Sequence, residues 1–284
     1  MGVPSWIRRR LPPAEELEKM DTLLRSLNLH TVCESAHCPN IGDCFRRGTA
    51  TFMILGDVCT RNCHFCAVAH GDPALPDPGE AGRIARAAEL LQLRHVVITS
   101  VTRDDLPDGG AGHFSSVVTA VREALPDSTI EVLTPDFQGD THALSVIASS
   151  EPDVFNHNME TVERLYPVVR PEASYRRSLE VLSRMRSLLP GRLLKSGFMV
   201  GLGELEEEVD TLLHDLRHAG CDILTIGQYL RPSGKHLPVY EYVEPERFEA
   251  YRRLALKIGF SGVASSPFVR SSYLADSFLD GGLP

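Results

Sequence analysis

Residues 51–66 read TFMILGDVCTRNCHFC. The opening, residues 51–56, is almost wholly apolar, the pattern of a short strand buried on both faces. It leads straight into Cys59, Cys63 and Cys66, spaced C-x3-C-x2-C. That spacing is too tight to set three thiols on one helical face, so a loop must wrap whatever they bind. A second triad, Cys33, Cys38 and Cys44, lies just upstream, and only Cys221 of the seven cysteines stands apart. Six thiols so close together require a disulfide framework, zinc or iron–sulfur clusters.

Outward from that run the chain alternates. Strand-like segments at 95–100, 129–134, 153–158, 194–201 and 222–227 follow the one at 51–56. Helical spacing covers 80–93, 111–125, 140–150, 174–189, 204–219 and 245–258. Strands alternating with helices predict βα units and a parallel sheet. A doubly wound open sheet and a partial barrel both satisfy that pattern. Here each strand is followed by a polar or glycine-rich string, among them VTRDDLPDGG at 101–110, HNME at 157–160 and QYLRPSG at 228–234. An open sheet gathers its chemistry at one switch point, whereas a barrel rings one site with every strand end. The expected fold is therefore α/β, a partial (β/α)6 TIM-like barrel over residues 51–260. Residues 1–50, with a helix across 15–27, form an N-terminal extension carrying the first triad. Residues 261–284 form a C-terminal tail that closes over the barrel mouth.

At 284 residues the chain can bury a full core without disulfides, which argues against a secreted cysteine scaffold. The first ten residues are Arg-rich but lack the apolar stretch of a secretory signal, and no run of about 18 apolar residues is available to span a membrane. A reducing, cytoplasmic setting is expected, bacterial rather than mitochondrial because no long Arg/Ser-rich presequence precedes the catalytic part. Clustered thiols in such a setting serve as metal ligands or catalytic groups. The net charge of −9 argues against general nucleic-acid binding, which needs basic surface. Arg8, Arg9 and Arg10, and Arg46 and Arg47, read as solvated basic faces.

Structural zinc takes four closed ligands, commonly from paired C-x2-C knuckles. The downstream triad has no evident fourth partner, and His37 is poorly spaced to complete the upstream one. A three-thiolate set suits a [4Fe–4S] cube with one iron left open. C-x3-C-x2-C at the end of the first barrel strand resembles the radical S-adenosylmethionine (SAM) superfamily. The resemblance implies that Cys59, Cys63 and Cys66 hold a [4Fe–4S] cluster whose open iron is chelated by the amino and carboxylate groups of SAM. It implies further that one electron from the cluster splits the sulfonium and releases a 5′-deoxyadenosyl radical. No side chain removes hydrogen from an unactivated alkyl carbon as acid or base, so the protein's task is positioning and the exclusion of water and stray reductants.

The upstream triad narrows the family. CESAHCPNIGDC at 33–44, with RSSY at 270–273, is similar to the lipoyl synthases. The likeness runs on through TSVTRDDLPDGGA, IEVLTPDF, DVFNHNMETV, KSGFMVGLGE, LTIGQYLRPS and HLPV. By that resemblance Cys33, Cys38 and Cys44 bind an auxiliary [4Fe–4S] cluster, whose fourth ligand is the second serine of RSSY, Ser272, with Ser271 the close alternative. An oxygen ligand is a poor match for a site that normally takes soft thiolate, which suits a cluster that yields its own sulfur. The implied reaction is a sulfur transfer: an octanoyl chain on a carrier-protein lysine receives sulfur at C6 and then at C8, each time with one SAM as cosubstrate. The implied partners are octanoylated lipoyl carrier domains or the H protein, an electron donor such as ferredoxin or flavodoxin, and iron–sulfur assembly proteins, with no nucleic acid and no membrane.

SAM itself is expected across the strand ends. By the same resemblance Ser100 and Thr102 follow the second strand, where the amino group of SAM is usually held. Asn156 and Asn158 follow the fourth, and Gly201 and Gly203 match the fifth-strand motif that cradles adenine by close backbone approach. Each also has a plain reading as a turn former or cap. Leu205 departs from the threonine common in the family, which touches the adenine details. The 228–238 stretch is placed to gate an octanoyl tunnel, and Cys221 reads as a core residue. Two rivals stand beside this reading: another two-cluster radical SAM enzyme catalysing methylthiolation or dehydrogenation, and a zinc-stabilised binding module.

Overall fold

The computed structural model describes residues 2, 4–7, 22–32, 38, 40–41 and 51–272. Cys33, Cys44, Tyr273 and the first part of the 15–27 helix lie outside these; residues 22–26 are helical. In chain order the strands are β1 (His30–Thr31), β2 (Thr51–Ile54), β3 (Val58–Cys59), β4 (Ala69–His70), β5 (His95–Ser100), β6 (Thr129–Leu133), β7 (Val154–Asn156), β8 (Leu193–Val200), β9 (Ile223–Gln228) and β10 (Gly262–Ser265).

β1 lies antiparallel on β2, while β2–β5, β5–β6, β8–β9 and β9–β10 pair in parallel. The eight-stranded sheet has the order β1-β2-β5-β6-β7-β8-β9-β10, and β3 with β4 forms a separate two-stranded ribbon. Within the main sheet every strand neighbours its predecessor in sequence. A doubly wound sheet must reverse its order at a switch point. This one never reverses, so the α/β fold is that of a partial TIM-like barrel. β10 lies beyond the six strands that the alternation predicts, because four residues opening on glycine give no usable period.

The chain divides into two compact units, residues 10–61 with 67–155, and residues 1–9 with 62–66 and 156–284. In the first, the helices Glu80–Leu90, Ala111–Ala124 and Thr141–Ser149 bury Ile84, Ala88, Phe114, Val117, Leu144 and Ile147. Val96, Ile98, Ile130 and Val132 fill the sheet side of that core. In the second, the helices Tyr175–Leu188, Glu206–His218 and Pro245–Ile258 bury Leu182, Met185, Leu212, Leu216, Phe248 and Ala255. Stripes of this spacing are what let each helix cover a sheet face. Start signals are local: the Asp140 carboxylate accepts the His142 N–H at 2.8 Å, and Ser174 accepts from Arg177 at 3.4 Å.

The exit from β2 sets the direction of the cysteine loop. Leu55 turns left-handed at φ +68°, uncommon for a residue with a branched side chain. Its N–H donates to the buried Glu80 carboxylate at 2.9 Å, and its carbonyl accepts from Arg103 at 3.2 Å. His113 lies 2.7 Å from the same Glu80 carboxylate. The strained turn is thus held at both polar ends, and it aims the chain toward Cys59.

Candidate active site

β3 and β4 pinch the base of the cysteine loop, with Cys59 opposite His70 and the Gly71 N–H donating to the Cys59 carbonyl at 3.0 Å. Cys59 Sγ accepts two backbone N–H groups, from Arg61 at 3.4 Å and from Thr102 at 3.3 Å. Backbone donors aimed at sulfur are among the features that tune an iron–sulfur ligand. Thr60 secures the same junction, its N–H and its hydroxyl both reaching the Thr102 carbonyl at 3.0 Å. These residues fit a thiolate ligand. Cys59 forms no disulfide.

Arg61, the second residue after Cys59, is buried. Its guanidinium takes Asp104 with two bonds, 2.6 and 2.9 Å, and Asp136 with a third at 2.7 Å. Burial alone pulls the Arg61 pKa down, but the hydrogen bonds and charges of Asp104 and Asp136 outweigh it and leave it raised. Asp104 and Asp136 come from the loops after β5 and β6, so one side chain ties the cysteine loop to two strand ends.

Cys63 and Cys66 belong to the second unit, where residues 62–66 are docked along their length. The Asn62 N–H donates to Glu172 at 2.7 Å, and the His64 N–H to the Val169 carbonyl at 3.0 Å. The Cys66 N–H closes a turn on the Cys63 carbonyl at 3.0 Å. His236 Nε2 lies 3.0 Å from the Cys66 carbonyl, and the Leu237 N–H reaches His64 O at 3.2 Å. A carbonyl only accepts, so His236 carries a proton on Nε2, and Nδ1 lies 2.9 Å from the Ser233 hydroxyl. The 228–238 stretch therefore bears on the cysteine loop. Among the described residues no three His, Cys, Asp or Glu side chains gather as one metal ion requires.

The residues expected around SAM differ in their surroundings. Ser100 ends β5, and its buried Oγ has no hydrogen-bond partner among the described residues. Thr102 acts through its backbone, on Cys59 and Thr60. Asn156 is fully buried at the end of β7. Asn158 Oδ1 accepts the Ser271 hydroxyl at 2.8 Å, and its Nδ2 donates to half-buried Glu160 at 2.9 Å. Each end keeps one further lone pair or hydrogen. Burial raises the Glu160 carboxyl, opposed by Arg170, by the Asn158 hydrogen bond and by Arg270.

Gly201 and Gly203 take φ +95° and +102°. A Cβ on Gly201 would collide with the Gln228 amide and stand 2.5 Å from the Glu241 carbonyl; one on Gly203 would lie 3.4 Å from the Tyr240 ring. The close approaches at both glycines are to the chain's own residues. Glu204 closes the loop, its carboxylate accepting Gly201 N–H at 2.6 Å and Leu202 N–H at 2.9 Å. Leu205 lacks a capping oxygen, and the Glu208 carboxylate takes its N–H at 2.8 Å instead. Gly201→Ala is expected to cost about 1–3 kcal/mol from strain and overlap, read by thermal denaturation; an unchanged Tm would mean the loop adapts freely.

Residues 53–216 match the radical SAM superfamily, and residues 1–38 match the N-terminal domain of lipoyl synthase of the radical SAM family. The lipoyl synthase of Syntrophotalea carbinolica is 56% identical over 277 residues, covering 97% of this chain and 90% of that one. That of Rubrobacter xylanophilus is 55% identical over 274 residues, covering 96% and 85%. The chain belongs to the lipoyl synthase family. It is a radical SAM sulfurtransferase, whose superfamily uses SAM with a [4Fe–4S] cluster. Streptococcus suis SuiB bound to precursor peptide SuiA superposes with a TM-score of 0.59 at 12% identity, covering 87% of this chain and 52% of that one. Methylornithine synthase (PylB) gives 0.54 at 14%, covering 92% and 80%. At such identities the shared feature is the fold. Among the described residues no helix is long and apolar enough to cross a membrane.

Within this lipoyl synthase family member, sequence reading overlooked Arg61 with its two aspartates, His236 on the cysteine loop, and the Ser271–Asn158 pair. An arginine inside a cysteine motif, with acids in the next two strand-end strings, was the available signal for the first. Cys221 is buried, as a core residue should be, and burial pushes its thiol pKa up.

Proposed function

We propose that the chain inserts sulfur at C6 and then C8 of an octanoyl group carried on a lysine of a lipoyl carrier domain or the H protein. Two [4Fe–4S] clusters, when bound, supply the electron that cleaves SAM and the sulfur that is transferred. Cys59, Cys63 and Cys66 hold the first, and Cys33, Cys38, Cys44 and Ser272 the second. The observation that carries the reading is the Cys59 sulfur, which receives two backbone N–H groups from its own loop and from the β5 end. Ser271 has its hydroxyl engaged by Asn158, which favours Ser272 as the ligand of the pair. Reconstituted protein is expected to bind about eight irons. If Cys33→Ala leaves that count unchanged, the auxiliary site is wrong.

SAM lies against Ser100, Thr102, Asn156, Asn158, Gly201 and Gly203 in this proposal, with the chain excluding water around it. Ser100 offers the sharpest test, since a buried hydroxyl without a partner among the described residues suits a charged group of the cosubstrate. Ser100→Ala should weaken SAM binding by about 1.5–3 kcal/mol, measured anaerobically by calorimetry. Unchanged affinity with a higher Tm would show instead that the hydroxyl was only a buried cost. A ferredoxin or flavodoxin supplies electrons, iron–sulfur assembly proteins restore the consumed cluster, and the setting is the cytoplasm.

A further inference from the structure

We infer that Ser271 is a positioning residue, which latches the start of the C-terminal tail to Asn158 and thereby sets where Ser272 stands. The inference rests on the proposed ligand role of Ser272 for its consequence, though not for the latch itself.

The tail runs in a track cut across the second unit. Ser266 N–H donates to the Ile226 carbonyl at 3.1 Å, and Gln228 N–H to the Pro267 carbonyl at 3.3 Å. The Arg270 guanidinium turns back on Val269 O at 2.6 Å. Two strand positions beneath this path are glycine. A Cβ on Gly227 in β9 would collide with the Val269 carbonyl and lie 2.9 Å from the Arg270 guanidinium. A Cβ on Gly197 in β8 would collide with the Thr225 hydroxyl, and would stand 3.1 Å from Asn158 Oδ1 and 3.2 Å from Ser271 Oγ. Neither glycine has a left-handed backbone; room for the Val269 carbonyl accounts for Gly227, while at Gly197 the tightest neighbour is the Thr225 hydroxyl of β9, with the latch pair next.

At the end of that track Ser271 donates to Asn158, and the acceptor is rigidly held. The Asn158 and Met159 carbonyls accept from Arg170 at 3.0 and 3.1 Å. The Gly197 carbonyl accepts the Met159 and Glu160 N–H groups at 3.0 and 3.1 Å, which runs the chain beside β8. Asn158 Nδ2 is anchored on Glu160. Ser272 is half-buried one residue beyond the latch. Its reach to an iron is then fixed by a bond made through its neighbour, which separates the duties of the two serines.

The test compares reconstituted wild type with Ser271→Ala, Gly197→Ala, their double variant and Ser272→Ala. Hydrogen exchange of peptides from residues 266–272 should rise about fivefold in Ser271→Ala, the scale of one lost hydrogen bond. Gly197→Ala crowds the same bond from the strand side and should give a similar rise, with little added in the double variant. Iron release to a chelator should quicken to a like degree for about four of about eight irons, leaving the other four at the wild-type rate. A purely structural lesion would release both sets together and overturn the assignment. Wild-type tail exchange in Ser271→Ala would also overturn the latch. If Ser272→Ala leaves iron release unchanged while Ser271→Ala still loosens the tail, the ligand role fails and the latch stands.

Discussion

Cys63→Ala is expected to abolish reductive cleavage of SAM while leaving the fold intact. The side chain contributes a sulfur, whereas the local turn is made by the Cys63 carbonyl and the Cys66 N–H, which alanine retains. Asn62 and His64 stay docked on Glu172 and Val169 through backbone donors that the substitution does not touch. The Tm should therefore stay close to wild type. Loss of groups that merely orient metal ligands costs about 10–100-fold, so loss of a ligand should remove more than about 100-fold of the 5′-deoxyadenosine formed. Reconstituted iron should fall from about eight to about four per chain. Full cleavage with eight irons would show that Cys63 is not a ligand.

Arg61→Met should act in the opposite way, through stability first. The Asp136 side chain is 0% exposed and Asp104 25%, and both lean on the same guanidinium. Methionine fills much of the volume but strands the buried carboxylates. Breaking a buried pair from one side costs about 3–5 kcal/mol, because the Asp136 carboxylate stays buried without its counter-charge. For a chain of this size that corresponds to a fall in Tm on the order of 10 °C. Arg61→Lys should recover only part of it, since a point charge cannot fork between Asp104 and Asp136 as the planar guanidinium does. SAM cleavage should decline as well, because the loop beside Cys59 loses its anchor. An Arg61→Met variant that melts with wild type would contradict the network.

These two residues mark what the sequence could and could not convey. Cysteines clustered as at 59, 63 and 66 have few plain explanations, so the superfamily was legible there by resemblance. The strands β2, β5 and β9 were legible too, because unbroken apolar or β-branched runs are what burial in a parallel sheet demands. β10 was not, since GVAS begins on glycine and buries only its first half. The support of the site escaped for a different reason. Thr102 reaches Cys59 across 43 positions and Ser271 reaches Asn158 across 113, and such bonds leave no periodic trace. Gly201 and Gly203 read as close-approach glycines or turn formers, yet the groups that crowd them, Gln228 and Tyr240, appear only once β9 and its following loop are placed.

The most direct measurement incubates the reduced, reconstituted enzyme with SAM and an octanoyl-lysyl peptide and tracks the peptide by mass spectrometry. The prediction is a peptide that gains two sulfur atoms as 5′-deoxyadenosine accumulates. SAM consumed with no sulfur gained on that peptide would contradict it.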